Sequence, residues 1–237
     1  MLTCDFPFVS VVTPTYNRQH LFRFLVSQYD AQNYPADKRE LIVLDDSLAP
    51  LGPEFEPILM RPDIQYHWYP MRLSLGKKRN MLNDLAQGDI ILCMDDDDYQ
   101  CVQRITHSVE TLKTSDGEIA GASTLYVHYK NNENLTNTNK TNKTNTIYRF
   151  GPYGPNHATA GTMAYKTSLA RRCKYPEDVP YGEESLFTNN FTIPLLQLDP
   201  MQTIVCVSHE TNTFDKRPLK VMAKETTANL TDFNIRI

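Results

Sequence analysis

Four consecutive aspartates, Asp95 to Asp98, end the stretch "ILCMDDDDYQCV" (91–102), directly after an apolar run that reads as a buried strand. Two carboxylates about 4 Å apart repel by roughly 1 kcal/mol in bulk water and about 4 kcal/mol near a protein surface. A fold retains such a cluster where a cation, the N-terminus of a helix or a proton relieves the repulsion. Which of the three acts here constrains both the architecture and the chemistry of the chain.

The 237 residues, 41% of them apolar, suffice for one large domain with a sizeable core. A net charge of −4 argues against a nucleic-acid binder held by a general basic field. Five cysteines, scattered without a CxxC pair, form neither a disulfide framework nor a zinc pattern, so a reducing, cytoplasmic compartment is expected. Sequons at Asn134, Asn139, Asn142, Asn190 and Asn229 would matter only in a secretory protein. "MLTCDFPFVSVVTPTYN" lacks a basic leader, and no apolar run is long enough to span a bilayer. Peripheral membrane attachment is compatible with this sequence.

Along the chain, "FVSVVTPTYN" (8–17) predicts a strand broken by Pro14, and "LFRFLVSQYDAQ" (21–32) a helix. "ELIVLDDS" (40–47) predicts a strand ending in two aspartates, 48–62 a Pro-rich loop, and "IQYHWYP" (64–70) a further strand. "KKRNMLNDLAQG" (77–88) is a helix stopped by Gly88, and "CVQRITHSVETLK" (101–113) an amphipathic helix. Strand and helix alternate across 1–115, the signature of an α/β unit with a mainly parallel sheet. Residues 116–210 form a second half, and 211–237 a polar C-terminal lid or tail. In "NNENLTNTNKTNKTNT" (131–146), seven Asn and five Thr leave too few apolar side chains for a core, which predicts a hairpin tip or insertion.

Parallel α/β sheets bind ligands beyond the carboxyl ends of their strands. Here that edge carries "TPTYNR", "DDS" (45–47), the aspartate tetrad and the basic "GKKRN" (76–80), a combination suited to a charged ligand with a metal. Each element also has a plainer reading. Asp97 or Asp98 could cap helix 101–113, "DDS" could be an ordinary turn, and "GKKRN" a solvated helix start. A calcium loop is disfavoured because Tyr99 falls on a ligand position and the required Gly is missing.

"VSVVTPTYNR", "IVLDDS", "GKKRN" and "GDIILCMDDDDY", in this order, resemble the nucleotide-sugar half of family-2 glycosyltransferases with the GT-A fold. The resemblance implies an α/β fold of the GT-A type: one domain with a Rossmann-like mixed, mainly parallel sheet and helices on both faces. It implies that Pro14 and Tyr16 line a uracil and ribose pocket, that Asp46 accepts from the base, and that Arg79 reaches the base or the diphosphate. Asp95 and Asp97 would form the D-x-D, with Asp97 on Mn²⁺ or Mg²⁺ and Asp96 near the ribose and donor sugar. "PYGEESLF" (180–187) stands where the family carries its base, so Glu184 would deprotonate the acceptor, with Glu183 as the alternative. Helix-terminal acids favoured by the dipole are the plain reading of that pair. His209 is a candidate third metal ligand or phosphate contact, although a lone His is more often structural, and Lys216 and Arg217 are candidate lid contacts to the diphosphate.

The expected activity is metal-dependent, inverting transfer of a sugar from a nucleotide donor, with UDP as the expected nucleotide, to an acceptor hydroxyl on a glycan, a lipid-linked sugar or a protein. Two rivals carry different signatures. A haloacid-dehalogenase-type phosphatase also places a D-x-D after a strand, but near its N-terminus and without a Tyr at position 99. A non-catalytic nucleotide-sugar-binding module would not need Asp97 and Glu184. A nucleotidyltransferase would need a Gly-rich triphosphate loop that this sequence lacks.

Overall fold

Alternating apolar residues build the first strands so that each feeds two cores. Val9 and Val11 of β1 (Val9–Thr15) pack with Leu41 and Val43 of β2 (Arg39–Asp45) on one face. Val12, Ile42 and Leu44 point to the other. Strands buried on both sides in this way belong at the centre of a helix-covered parallel sheet. The structure, a computed structural model, describes residues 6–129, 146–179, 182–209 and 223–236. The 131–146 tract up to Asn145, Lys216 and Arg217 lie outside the described residues.

The first face is covered by α1 (Phe22–Asp30), through Phe22, Leu25, Val26 and Tyr29. A short helix, α2 (Glu56–Leu59), stands where a loop was expected, with Pro57 inside its first turn, where the missing N–H costs nothing. β3 (Ile64–Trp68) follows, then α3 (Leu75–Leu85), whose Leu82 lies in the second core. Ser74 caps α3, accepting from the Lys77 N–H at 3.2 Å.

α3 ends before Gly88, which serves a different purpose. A Cβ there would lie 2.6 Å from the Phe8 carbonyl oxygen and 2.7 Å from the Ser10 nitrogen, so the glycine permits backbone contact with β1. β4 (Ile90–Cys93) then runs beside β1. Pro14 does not end β1, which pairs with β2 as far as Thr15 but with β4 only as far as Val12. The Met94 N–H closes onto the Val12 carbonyl on the β4 side. Pro14, two residues on, turns to that same flank, where pairing has stopped, and its missing donor is not needed.

The expected helix 101–113 begins later and is not capped by an aspartate. After the tetrad comes a short strand, β5 (Tyr99–Gln100), and only then α4 (Arg104–Lys113), with Gln103 at its N-cap and no side-chain cap bond. The second half opens with β6 (Ile119–Gly121), β7 (Leu125–Tyr129) and β8 (Ile147–Phe150). Next come β9 (Ala164–Lys166), α5 (Thr167–Arg172), α6 (Glu183–Phe187), β10 (Leu195–Gln197), β11 (Ile204–Ser208) and β12 (Lys224–Glu225).

The main sheet has seven strands in the order β10-β6-β9-β4-β1-β2-β3, parallel except where β9 pairs with β4 and β6. α1 and α4 cover one face, α3, α5 and α6 the other. A five-stranded sheet, β12-β8-β7-β11-β5, lies beside it. The tetrad is therefore the crossover from β4 of one sheet to β5 of the other. Part of the C-terminal segment packs on the body: Phe233 is fully buried and the Gln28 side-chain amide donates to the Arg236 carbonyl at 2.9 Å.

Candidate active site

Fixed cations and one backbone amide divide the four aspartates among them. Arg18 donates to Asp96 at 2.7 Å and to Asp97 at 2.9 Å. Asp96 also accepts from the Thr15 hydroxyl at 2.5 Å. Burial pushes its carboxyl above the ordinary range and Asp97 adds to that, while Arg18 pulls against both. Asp98 turns away from this edge and accepts from the Val207 N–H at 2.9 Å and the Cys206 thiol at 3.2 Å, which pins β11 to the crossover. His209, just past β11, brings Nε2 to 3.0 Å from Asp97 Oδ2.

Asp95 is the tetrad's most accessible member, its side chain 31% exposed, and lies 3.6 Å from Arg79. Arg79, buried on α3, donates through Nε to Glu183 at 3.0 Å, so one guanidinium spans the D-x-D and the first acid of α6. Among the described residues its Nη1 has no hydrogen-bond partner. Glu184 stands next to this bridge, half-buried. Burial first and the Glu183 charge second raise its carboxyl above the ordinary range. Beneath Asp95 passes the strap 160–163, where a Cβ on Gly161 would lie 2.8 Å from Asp95 Oδ2. Arg104, fully buried and pushed down to about 10 by desolvation, holds this strap through the Gly161 and Met163 carbonyls at 3.2 and 3.4 Å.

A second pocket wall follows β1 and β2. The Arg72 guanidinium lies 3.7 Å from the centroid of the Tyr16 ring and donates to Asp46 at 2.6 and 2.8 Å. Lys78 at 2.8 Å and the Leu73 N–H at 2.7 Å complete the ring of donors around Asp46. Desolvation lowers the Lys78 ammonium below its ordinary range, with Asp46 opposing. The arginine at Tyr16 is thus Arg72, whereas Arg79 lies inward, between Asp95 and Glu183. Pro14 is buried in the strand leading to Tyr16.

Sequence reasoning missed Arg18, Arg72 and Arg104. The first was legible in "TPTYNR" as a cation one strand away from the acids. Arg72 and Arg104 carried no signal, because their roles depend on loops and on a buried strap.

Among the described residues, no three His, Cys, Asp or Glu side chains gather into a ready-made metal cage. Asp97 with His209, and Asp95 beside Arg79, nevertheless suit a cation of the Mg²⁺ or Mn²⁺ type. Such ions are held by one or two carboxylates and complete their shell with substrate phosphates and water.

A mixed sheet of this order, with acids at its crossover into a second sheet and a carboxylate-bearing helix bridged to them, defines a GT-A fold. The chain belongs to glycosyl transferase family 2, whose model matches residues 10–173. Solved structures share the fold. A crystal structure of S. aureus TarS 1-349 in complex with UDP-GlcNAc has a TM-score of 0.63 at 19% identity, covering 87% of this chain and 60% of that one. The mannosyltransferase PcManGT from Pyrobaculum calidifontis, in complex with GDP-Man and Mn²⁺, has a TM-score of 0.66 at 16% identity, covering 89% and 59%. This chain therefore spans about 60% of the length of these two crystallised chains. No curated protein sequence matches it. Among the described residues no helix is long and apolar enough to cross a membrane. The family match sets aside the phosphatase alternative.

Proposed function

We propose that this chain carries the catalytic unit of a metal-dependent, inverting glycosyltransferase that moves a sugar from a UDP-sugar to an acceptor hydroxyl on a glycan, a lipid-linked sugar or a protein. The observation that carries the reading is the Arg79 bridge, which holds the D-x-D and the Glu183–Glu184 pair in one site. In this reading Tyr16, with Pro14 behind it, and Asp46 form the base pocket, Arg72 moving with the incoming nucleotide. Asp96 faces the ribose and donor sugar. Asp97 and His209 hold the divalent cation with Asp95 alongside. The cation, when bound, neutralises charge on the departing diphosphate.

Glu184 accepts the proton of the attacking hydroxyl in a single displacement. Glu183 is the weaker candidate because its carboxylate is committed to Arg79. A carboxyl raised above its ordinary range is the better proton acceptor at neutral pH. Among the described residues no cysteine forms a disulfide, and the thiols of Cys93, Cys101 and Cys173 support a reducing, cytoplasmic setting.

Thermal-shift measurements with UDP, GDP, CDP and dTDP, each with and without Mn²⁺, test the donor class. The expected result is a shift with UDP that grows with Mn²⁺, and no nucleotide-dependent shift would overturn the reading. Binding with neither hydrolysis nor transfer would support the non-catalytic module instead.

A further inference from the structure

At the edge of the main sheet opposite the aspartates lies a cleft of about 710 Å³, a volume typical of small-molecule sites. Its polar lining carries four cations, Lys38, Lys113, Lys166 and Arg171, drawn from the turn before β2, the end of α4, the end of β9 and α5. Among the described residues Lys38, Lys166 and Arg171 have no carboxylate within ion-pair distance, in a chain whose net charge is −4. Two acids stand nearby, and neither forms an ion pair with Lys38, Lys166 or Arg171 among the described residues. Asp89, the lining carboxylate, accepts from the Phe8 N–H at 3.2 Å. Glu118, whose charge is felt by Lys166, is held by Arg172 at 2.6 Å.

Part of the lining is apolar: Phe6 and Phe8, half-buried, line the same cleft, with the core residues Ile90 and Leu112 behind them. Like charges gathered around a concave surface lower the potential energy of an anion far more than a single lysine on a convex one. An apolar wall beside them favours an anion that carries a hydrocarbon or ring portion.

We propose that this cleft is a second ligand site, taking a phosphate or diphosphate group with its apolar substituent against Phe6, Phe8 and Leu112. The anion enters between Lys38, Lys166 and Arg171, and charge-assisted hydrogen bonds from their ammonium and guanidinium groups hold it. The site is independent of the nucleotide pocket and of the reaction proposed there. The phosphate could belong to a soluble molecule or to an anionic lipid headgroup, and the two sources separate experimentally.

The test compares the full chain with K38E/K166E, and with K38Q/R171Q in case charge reversal impairs folding. None of these residues lies in the nucleotide site. Calorimetric titration with inorganic pyrophosphate, without divalent metal, reads the soluble source. Co-sedimentation with phosphatidylcholine vesicles, with and without phosphatidylglycerol, reads the headgroup. Each basic residue near an anionic surface contributes about fivefold in affinity, so a double variant weakens binding by roughly 25-fold. Pyrophosphate binding lost in the variants assigns a soluble phosphorylated ligand. Sedimentation with phosphatidylglycerol vesicles, lost in the variants, assigns a headgroup. Pyrophosphate binding at the nucleotide pocket persists in all three proteins and cancels. Equal behaviour of all three proteins in both assays overturns the proposal.

Discussion

Arg79 and Glu183, 104 positions apart in the chain, meet at 3.0 Å with both side chains almost wholly withdrawn from solvent. A buried pair like this one adds little net stability over an apolar pair, yet breaking it is costly because the buried guanidinium is left with only the longer contact to Asp95, 3.6 Å away. Glu183→Ala should therefore destabilise the fold by about 3–5 kcal/mol, lowering Tm by roughly 10 °C. The double variant Arg79→Met/Glu183→Leu should recover most of that loss while remaining inactive. Urea unfolding of both singles and the double measures the coupling, and an additive result would show that the pair does not hold the site together.

Gly161 makes a prediction that separates activity from stability. An Ala Cβ there meets Asp95 Oδ2 at 2.8 Å, and Ile204 Cδ1 at 3.4 Å, but no backbone atom within that range. The carboxylate can swing away at small cost in stability, below about 1 kcal/mol. Displacing a metal-side carboxylate by a fraction of an ångström to 1 Å should still lower kcat/KM by roughly 10–100-fold. Steady-state kinetics beside a melting curve checks this, and unchanged kinetics would remove Asp95 from the reacting geometry.

The strands and helices of the first half were legible because apolar residues repeat with the periods of strand and helix. Val9, Val11, Leu41 and Val43 announce a buried sheet before any coordinate is known. Two local expectations failed because neighbours outweighed local signals. Pro14 is accommodated by where β4 stops, and Gly88 by how closely β1 approaches; neither is written in its own vicinity. The tetrad's charge was legible, its distribution was not. Relief comes from Arg18, Arg79 and the Val207 amide, two side chains and a backbone group delivered by three separate segments. Long-range placement of this kind carries no periodicity for a sequence reader to detect.

Asp97 meets both Arg18 and His209, so its proposed ligation of a cation requires an exchange of partners. Asp97→Asn keeps an oxygen that accepts the hydrogen bonds but removes the negative charge that a divalent ion would meet at this position. The Mn²⁺-dependent part of the UDP thermal shift should vanish in this variant while the metal-independent part remains. Turnover should fall by at least about 100-fold, the scale on which stabilisation of a developing charge acts. A shift that still grows with Mn²⁺ would move the metal away from Asp97.

Glu184 ties pH, stability and rate together with opposite signs. Its carboxyl is raised by burial and by Glu183, so the folded chain holds that proton to a higher pH than the unfolded chain. Stability from this group is fully present below the ordinary Glu range and is lost as pH rises through the raised value, where the folded state must ionise a buried acid. The rate follows the opposite course, because only the carboxylate can take the proton from the acceptor. Glu184→Gln should therefore melt higher than the parent at neutral pH, with the difference closing as pH falls through the ordinary Glu range. Its UDP affinity should stay within about twofold, because the base acts only in the transition state, and transfer should be lost. Melting curves from about pH 3 to about pH 8, a range that extends below the unperturbed Glu pKa of about 4.3, set beside kcat/KM over the same range, check both halves. A Glu184→Gln protein with near-parental turnover would move the base role elsewhere, and a variant no more stable at neutral pH would show that the carboxyl is not held above its ordinary range.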